Sequence, residues 1–578
     1  MNMKKIKCIS LILMLSIVIS LFMGCNQGSI SETDGSQLAE GTNGSTQGIE
    51  TEKTYEYTWA LLNSEKVDDD NLPKKWVEEN YNIKVDLVRL GDDGWREKLS
   101  VLMASDDMPD MVRYNHDPDE LIKYADQGVL AELPEDMIKE HMPRYYEYIE
   151  SFNDEGLWKL GMLDGKHYGL PMPTWLGQYR RVIAWNADWL KNVGINRIPE
   201  TLSEFEEAFY KFVNEDPDGN NINDTYALTT EGPYPTVMFS ELFGAFGVTP
   251  FHWMEKDGKL IYGFSGEDTK EALKLLNKWY KDGLIDPEFV TEDCRSEGND
   301  IAWKFSTGKI GYISNLEASD HLWNGTGHLN KKWRLEHPEV DAYIYAEGHA
   351  GDNQFCLYPM PFTDLTTAPS GVYVHGNPPV GPDGEYGMPV SGLNNKYILF
   401  NYKLEEDQGK YIKLLTVLED LAMDEQAYIS SAWGEIGGVW DWVKDEMFGT
   451  YAEQTAEWKN NPDRSKLTPK YIVGQSGNPF FLQLKNQYLT ANAPKSKQRL
   501  DYLELIAKEG VYEDQLKATI PSQVKYADHS KPLVQFALKA ILEGKNIEAE
   551  YDRILQIWME NGGDVLTREA NEWYSTIK

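Results

Sequence analysis

The stretch Trp95–Val112, with the sequence WREKLSVLMASDDMPDMV, indicates the fold class most directly. Apolar residues at Trp95, Leu99 and Leu102 recur at the spacing of one helix face. A turn of acidic residues, methionine and proline follows, and Met111 opens a short apolar strand. The stretch is therefore a helix followed by a strand, which is the alternation found in α/β domains.

Strand and helix patterns also alternate on the N-terminal side of this stretch. Tyr55–Trp59 is rich in the aromatic residues that are typical of strands. Ile83, Val85 and Leu87 alternate with polar residues at a period of two, which predicts another strand. A helical stretch around Trp76 separates these two strands. The order of strands and helices predicts an α/β fold with a partly parallel sheet.

Helix signals continue through the rest of the chain. Thr201 and Glu204 have the spacing of a capping box at the start of a helix. Gly283 stands just after another amphipathic stretch, where a helix commonly ends. A last amphipathic helix is predicted around Tyr551. At roughly 100–200 residues per domain, the chain is long enough for two large lobes.

The N-terminus has the pattern of an exported protein. Lysines precede an uncharged apolar stretch, Ile9–Met23, which is shorter than the ~17–25 residues of a membrane-spanning helix. Leu21–Cys25 (LFMGC) resembles the lipobox of bacterial lipoproteins, although Phe22 departs from the usual leucine. This resemblance implies a signal peptide over residues 1–24 and a diacylated Cys25. Residues 26–53 are small and polar, which predicts a flexible tether.

Composition and charge exclude several functions. The formal net charge of −37 disfavours binding to nucleic acids or anionic lipid headgroups, because their phosphates would be repelled. We therefore expect the chain to attach to a membrane through the lipid alone. The expected location is the outer face of the cytoplasmic membrane of a Gram-positive host. Beyond the signal peptide and Cys25, the cysteines are Cys294 and Cys356. They form a disulfide or stay as thiols, and the sequence leaves both alternatives open.

Five motifs in chain order resemble the family 1 extracellular solute-binding proteins of carbohydrate ABC importers. They are Lys98–Asp110, Asp164–Pro171 (DGKHYGLP), Asn186–Thr201, Phe305–Gly311 (FSTGKIG) and Trp433–Trp440 (WGEIGGVW). The resemblance implies a two-lobe, periplasmic-binding-protein-like fold of type II, in which each lobe is a mixed sheet flanked by helices and hinge crossings join the lobes. The length of the chain is similar to that of the subgroup with alginate- and complex-oligosaccharide-binding members.

This resemblance implies a receptor and not an enzyme. The expected ligand is an oligosaccharide, the expected partners are the permease subunits of an ABC transporter, and the chain is expected to be a monomer. The predicted division is residues 54–168 plus about 380–432 for lobe 1, and about 170–378 plus 436–578 for lobe 2. Two alternative functions stay open: an extracellular enzyme that acts on glycosides, and a lipoprotein that serves a sensor. Nucleophile, zinc-protease and phosphate-loop motifs are absent from the sequence.

Candidate ligand-binding residues follow from the chemistry of sugars. The C–H face of a pyranose stacks on the negative face of an aromatic ring. The candidates are Trp175, Tyr179, Arg180, Trp253, Trp323, Trp433 and Trp440. Trp175, Trp433 and Trp440 rank first because they lie near the implied crossings. Two alternatives stay open, since each tryptophan can instead pack in the core and Arg180 can form a salt bridge instead of binding a uronate.

Asp216–Asp224 (DPDGNNIND) has the spacing of a calcium-binding loop. Its candidate ligands are the side chains of Asp216, Asp218, Asn220 and Asp224 and the main-chain carbonyl of Ile222. The loop departs from the EF-hand pattern because Asn221 replaces the turn glycine and Ala227 occupies the twelfth position. In the solute-binding proteins that the chain resembles, such a loop holds a structural calcium ion. The alternative is an Asx-rich turn without a metal.

Overall fold

The structure is a computed structural model. It describes residues 53–578 apart from 63–68, 91–94, 106, 116–117, 155, 293–299, 317–332, 334, 338–363, 394–395, 447–448, 461–476, 481–483, 492–499 and 501–502. The signal peptide, Cys25, the tether, Cys294, Trp323 and Cys356 lie outside the described residues. Within the described ranges, no helix has both the length and the apolar character needed to cross a membrane.

The strands form a five-stranded sheet, a three-stranded sheet and several two-stranded pairs. They are β1 Tyr55–Leu62, β2 Ile83–Leu90, β3 Met111–Asn115, β4 Met162–Leu163, β5 Lys166–His167, β6 Gly169–Pro171, β7 Val182–Asn186, β8 Trp253–Lys256, β9 Lys259–Tyr262, β10 Tyr312–Leu316, β11 Tyr373–Gly376, β12 Met388–Val390, β13 Lys396–Phe400, β14 Trp440–Asp445, β15 Gly449–Gln454 and β16 Val511–Glu513.

Helices flank these sheets. They are α1 Leu72–Tyr81, α2 Trp95–Ala104, α3 Pro118–Asp126, α4 Glu135–His141, α5 Pro143–Glu150, α6 Gly156–Lys159, α7 Ala187–Asn192, α8 Leu202–Asn214, α9 Ser240–Gly244, α10 Glu267–Lys281, α11 Asp300–Ser306, α12 Gln408–Met423, α13 Glu425–Trp433, α14 Ala456–Lys459, α15 Lys485–Thr490, α16 Lys531–Glu543, α17 Ile547–Trp558 and α18 Asp564–Tyr574. The mixed helices and sheets confirm the predicted α/β class.

Sheet 1 has the strand order β2-β1-β3-β13-β6 and forms the centre of lobe 1. β1 pairs in parallel with β2 and β3, whereas β13 pairs antiparallel with β3 and β6. These pairings confirm the predicted partly parallel sheet. Parallel neighbours need a crossover connection, and helices α1 and α2 lie in the connections between these strands. In β2, the side chains of Ile83, Val85 and Leu87 are buried and the residues between them are exposed, as the period of two predicts.

Sheet 2 has the order β10-β7-β11 and is antiparallel throughout. Trp185 of β7 stacks against Phe209 of α8 and lies at the centre of a separate core, which is the core of lobe 2. Helix α8 begins with the predicted capping box, since Thr201 accepts a hydrogen bond from the N–H of Glu204 (3.3 Å) and Glu204 accepts one from the N–H of Thr201 (3.1 Å). The chain therefore builds two cores around two sheets.

The C-terminal part of the chain packs on both cores. Helices α12 and α13 pack against α4, α5 and α1 in lobe 1, whereas α16 and α17 pack against α10 in lobe 2. Trp440 of β14 shares a buried cluster with Leu72 of α1. The helix predicted around Tyr551 is present as α17, but it is not the last one. A break at Gly562 (φ 114°) separates it from α18.

Candidate functional site

Two chain segments that connect the sheets run side by side. One segment is residues 172–177, which follow β6, and the other is residues 391–393 with Lys396, which lead into β13. Three backbone hydrogen bonds join them: the N–H of Met172 to the carbonyl of Lys396 (2.9 Å), the N–H of Thr174 to the carbonyl of Leu393 (3.0 Å), and the N–H of Gly392 to the carbonyl of Gly177 (2.9 Å). We call this pair the crossing ribbon.

The crossing ribbon requires a residue without a side chain at Gly177. A Cβ atom added there would lie 2.0 Å from the carbonyl oxygen of Gly392, which is backbone and cannot turn aside. The two crossings are therefore in direct backbone contact. The sequence predicted crossings near Trp175, but it did not show that two of them pair.

The side chains of Tyr179 and Arg180, which follow the crossing ribbon, form hydrogen bonds to other parts of the chain. Arg180 is 2% exposed, and it donates from Nε to the carbonyl of Glu509 (2.9 Å) and from Nη2 to Oδ1 of Asn377 (2.7 Å). The Tyr179 hydroxyl donates to Oε1 of Glu504 (2.7 Å). In this structure both side chains connect parts of the protein to each other. Contact of these two residues with a ligand stays a prediction.

The candidate tryptophans of the described chain are buried. Trp175, Trp253, Trp433 and Trp440 are between 0% and 6% exposed. The indole N–H of Trp440 donates to the carbonyl of Gly434 (2.9 Å). The structure therefore brings these rings into packed clusters, with little surface open to solvent. Their role in stacking on a sugar stays a prediction, and Trp323 lies outside the described residues.

The sequence reading missed Arg113, a buried arginine in lobe 1. It lies in β3 opposite Ile398 of β13, and the pair Asn115–Lys396 stands two residues further along, where the crossing ribbon begins. Arg113 is 4% exposed, and its Nε and Nη1 have no hydrogen-bond partner. Burial lowers the pKa of its guanidinium to about 10, so that it remains charged at neutral pH. The available signal was a single charged residue within the strand Met111–Asn115.

The sequence reading also missed Glu241, a buried acid in lobe 2. It lies in α9, is 1% exposed, and accepts a hydrogen bond from the hydroxyl of Tyr312 in β10 (3.2 Å). Burial raises the pKa of its carboxyl group to about 7. The available signal was the apolar sequence on both sides of Glu241, from Val237 to Val248.

The predicted calcium loop gathers its oxygen atoms within one turn. The main-chain N–H groups of Asn220 and Asn221 donate to the two carboxylate oxygens of Asp216 (3.1 and 3.0 Å). The side-chain amide of Asn220 donates to Asp218 (2.8 Å) and Asp224 (3.4 Å). Burial, together with the nearby carboxylates of Asp216 and Asp224, raises the pKa of Asp218. This surplus of negative charge fits a hard cation that prefers oxygen ligands.

Two details of this loop bear on its departures from the EF-hand pattern. Asn221 adopts the left-handed conformation (φ 60°), as expected of a residue that replaces the turn glycine. Ala227, at the twelfth position, is buried and has no side-chain oxygen. The Ile222 carbonyl remains the predicted main-chain ligand. The loop therefore offers fewer protein ligands than a complete EF-hand.

A second acidic cluster consists of Asp286, Glu288 and Glu292, whose carboxylates lie within 4.8 Å of one another. The ammonium group of Lys304 contacts Asp286 (2.8 Å), Glu288 (2.7 Å) and Glu292. A lysine thus already supplies a positive charge at the centre of this cluster. The cluster therefore differs from the loop at Asp216, where carboxylates and amides face one another.

Comparison with known proteins confirms the family resemblance. Residues 62–319 match the model of the bacterial extracellular solute-binding proteins. The chain is 28% identical to lipoprotein LipO of Bacillus subtilis (strain 168) over 528 residues, which cover 90% of this chain and 91% of LipO. It is 22% identical to the polygalacturonan/rhamnogalacturonan-binding protein YtcQ of the same organism, over 87% of this chain and 88% of YtcQ. YtcQ is named as a binding protein and FusA of Streptococcus pneumoniae as a substrate-binding protein, and with the family match they confirm the prediction that the chain is not an enzyme.

Solved structures confirm the two-lobe fold. The substrate-binding protein FusA of S. pneumoniae, in complex with kestose, superposes with a TM-score of 0.62 and 17% identity, covering 91% of this chain and 99% of FusA. Another structure is the alginate-binding protein AlgQ2 without calcium ion, with a TM-score of 0.60, 17% identity and the same shares covered. A further structure of FusA is described as an EF-hand mutant. At these identities the likeness establishes the fold.

Proposed function

We propose that this chain, whose residues 62–319 match the bacterial extracellular solute-binding proteins, is a lipid-anchored receptor that captures an oligosaccharide and delivers it to an ABC importer. The observation that carries the proposal is the crossing ribbon, which joins two sheets with separate cores through a few backbone residues. A few residues at the ends of such elements are enough to absorb the rotation of a hinge.

Capture would occur by closure of the two lobes over the ligand. A ligand shifts the equilibrium between open and closed forms only by its preference for one of them, so it must contact both lobes in the closed form. The oligosaccharide class is supported by the ligands after which two relatives are named, polygalacturonan or rhamnogalacturonan for YtcQ and fructooligosaccharide for FusA. We expect the receptor to act as a monomer and to dock on permease subunits after closure.

The lipid anchor would keep the receptor at its importer. Cys25 follows an apolar signal and precedes a polar tether, and the relative LipO is named a lipoprotein. Two acyl chains on one cysteine hold a protein stably at a membrane, whereas one chain does so only weakly. We expect the folded part to stand outside the cytoplasmic membrane of a Gram-positive cell.

The loop at Asp216 would hold a structural calcium ion. Three carboxylates and the amide oxygen of Asn220 supply the hard ligands, and water would complete the shell where Ala227 offers none. The loop follows directly after α8, and the side-chain amide of Asn192 donates to the carbonyl of Pro217 (2.8 Å). Bound calcium would therefore stiffen lobe 2 at a distance from the ligand.

Calorimetric titration of the mature protein with a glycan panel tests the function. We expect one class of oligosaccharide to bind with a Kd of about 1 μM or tighter, and mass spectrometry to recover that ligand intact. Recovery of shortened glycans would show that the protein is an enzyme. Binding of peptides in the absence of any glycan binding would reject the oligosaccharide class.

A further inference from the structure

We infer that an ion pair between Asp154 and Lys517 links the two lobes outside the crossing ribbon and favours the closed form of the receptor. The inference deepens the proposed function and rests on it, because it assigns residues that control the closure of the lobes. It starts from a segment of lobe 2, residues 511–526, which reaches across to lobe 1. We call this segment the strap.

The strap belongs to lobe 2. Its first strand, β16, pairs in parallel with β12. The side chains of Leu516 and Ile520 are buried in the core of lobe 2, and Tyr526 packs against the same core. The main-chain N–H of Gln515 donates to the carbonyl of Trp253 in β8 (2.9 Å). The strap is therefore fixed to lobe 2 along its whole length.

The residues that the strap meets belong to lobe 1. Asp154 lies between α5 and α6, and Ile149 of α5 and Leu157 of α6 are both buried in a core that contains strands of sheet 1. Leu160 follows α6, and it shares another buried cluster on sheet 1 with Leu121 of α3. These residues are therefore packed on sheet 1 and move with lobe 1.

Three contacts join the strap to lobe 1. The ammonium group of Lys517 lies 3.4 Å from Oδ2 of Asp154. The hydroxyl of Thr519 donates to the carbonyl of Leu160 (3.4 Å). The turn Val524–Tyr526 packs against α3. Because these contacts lie outside the crossing ribbon, a rotation of the lobes about the ribbon changes them while the ribbon itself stays joined.

Lys517 also has an acidic partner within lobe 2. Its ammonium group lies 2.7 Å from Oε2 of Glu513 in β16, which is closer than its distance to Asp154. When the lobes part, the lysine therefore keeps one carboxylate, and water takes its place beside Asp154. The side chain of Lys517 is 30% exposed, and ion pairs with such access to water are weak. The pair between the lobes can thus break and form again at little cost.

The direction of the effect follows from which form each attraction favours. A ligand that is held by both lobes binds better to the closed form, and any further attraction between the lobes adds to the stability of that form. The attraction between Lys517 and Asp154 acts from lobe to lobe. Glu513 acts in the opposite sense, because it stabilises the lysine when the lobes are apart and repels Asp154 when they are together.

The test uses the full mature protein with and without ligand. Kestose and trigalacturonate are titrated calorimetrically, and small-angle X-ray scattering measures the radius of gyration of the ligand-free protein. Lys517→Met and Asp154→Asn should each weaken saccharide binding by about 2- to 5-fold and increase the radius of gyration. Asparagine can still accept the hydrogen bond that Asp154 receives from the N–H of Gly156 (3.0 Å), so α6 keeps its first turn.

Two further variants separate this effect from a general loss of structure. Glu513→Gln should tighten saccharide binding and reduce the radius of gyration, which is opposite to the effect of Lys517→Met. The control Lys139→Met removes a lysine that pairs with Glu135 inside lobe 1 (2.7 Å), and it should change neither quantity. In about 1 M salt, which screens charges beyond ~3 Å, the differences between the variants and the wild type should shrink.

Each contrary outcome has a distinct meaning. If Lys517→Met and Asp154→Asn bind saccharide as tightly as the wild type, the inference is overturned and the proposed function stands. If Lys517→Met and Glu513→Gln change binding in the same direction, Lys517 acts only within lobe 2, and the inference is also overturned. If neither saccharide binds the wild-type protein, the proposed function fails for these ligands. The radius of gyration then decides alone, and equal values for the wild type and both variants overturn the inference.

Discussion

Because of Glu241, the free energy of unfolding should depend on pH. Burial raises the pKa of its carboxyl group from the ordinary value of 4.5 to about 7, so the folded protein keeps the proton in a range where the unfolded chain releases it. Its contribution to stability is therefore fully present below pH 4.5 and is lost as the pH rises to about 7. We expect the free energy of unfolding, relative to Glu241→Gln, to fall by about 3 kcal/mol over this range.

Urea denaturation at several pH values measures this difference. The exposed Glu271, replaced by Gln, serves as a control for removing a carboxylate at the protein surface. If the free energies of unfolding of the wild type and of Glu241→Gln differed by the same amount at every pH, the carboxyl group would not be held neutral by burial.

Individual side chains are also where sequence-based prediction reached its limit. Trp433 and Trp440 have glycine neighbours that resemble a loop, yet packing against Leu72 buries them. Arg113 looks like any strand residue until the neighbouring strands enclose it. Burial arises from contacts between residues distant in sequence, which local spacing does not contain. The sequence therefore indicated which residues could take part in a site, but it did not indicate which of them are buried.

At the scale of elements, the loop Asp216–Asp224 gives the clearest prediction. A chelator should lower the melting temperature of the wild-type protein, and calcium should restore it, because the ion neutralises crowded carboxylates. Asp216→Ala should abolish this response. The calcium affinity should also weaken in acid, since the pKa of Asp218 is raised by burial and by its neighbours.

The acidic cluster around Lys304 provides the matched control. Asp286→Asn changes a carboxylate that a lysine already contacts, so the response to chelator should persist. Scanning calorimetry measures both variants. A wild-type melting temperature that is indifferent to chelator and to added calcium would reject the metal site.

Elements with strong local signals were predicted well. The capping box at Thr201 and the alternation in β2 depend on neighbours within a few residues, and both are present. The break before α18 was missed because it depends on the left-handed backbone of Gly562, which sequence does not reveal. The pairing of the two crossings was missed for a related reason, since Gly177 and Gly392 meet only in the folded chain.

At the scale of the whole molecule, the proposed lipid anchor on Cys25 is the feature expected to fix the location of the protein. Cys25→Ala should release the protein into the medium or leave its signal peptide uncut, because no thiol remains for acylation. Immunoblots of membrane and culture fractions, with the unaltered protein beside it, measure the distribution. Membrane attachment that survives this substitution would mean that something other than a lipid on Cys25 holds the protein.

We expect the crossing ribbon to limit the number of independent motions between the lobes. A pair of hydrogen-bonded segments bends easily out of its own plane. Bending within the plane would stretch one segment and compress the other, breaking hydrogen bonds such as the one from Gly392 to Gly177. We therefore expect the lobes to swing about a single axis. A ligand that arrests one angle removes less entropy than a ligand that must arrest several. Weak contacts with a hydrated sugar would then be enough to hold the lobes shut.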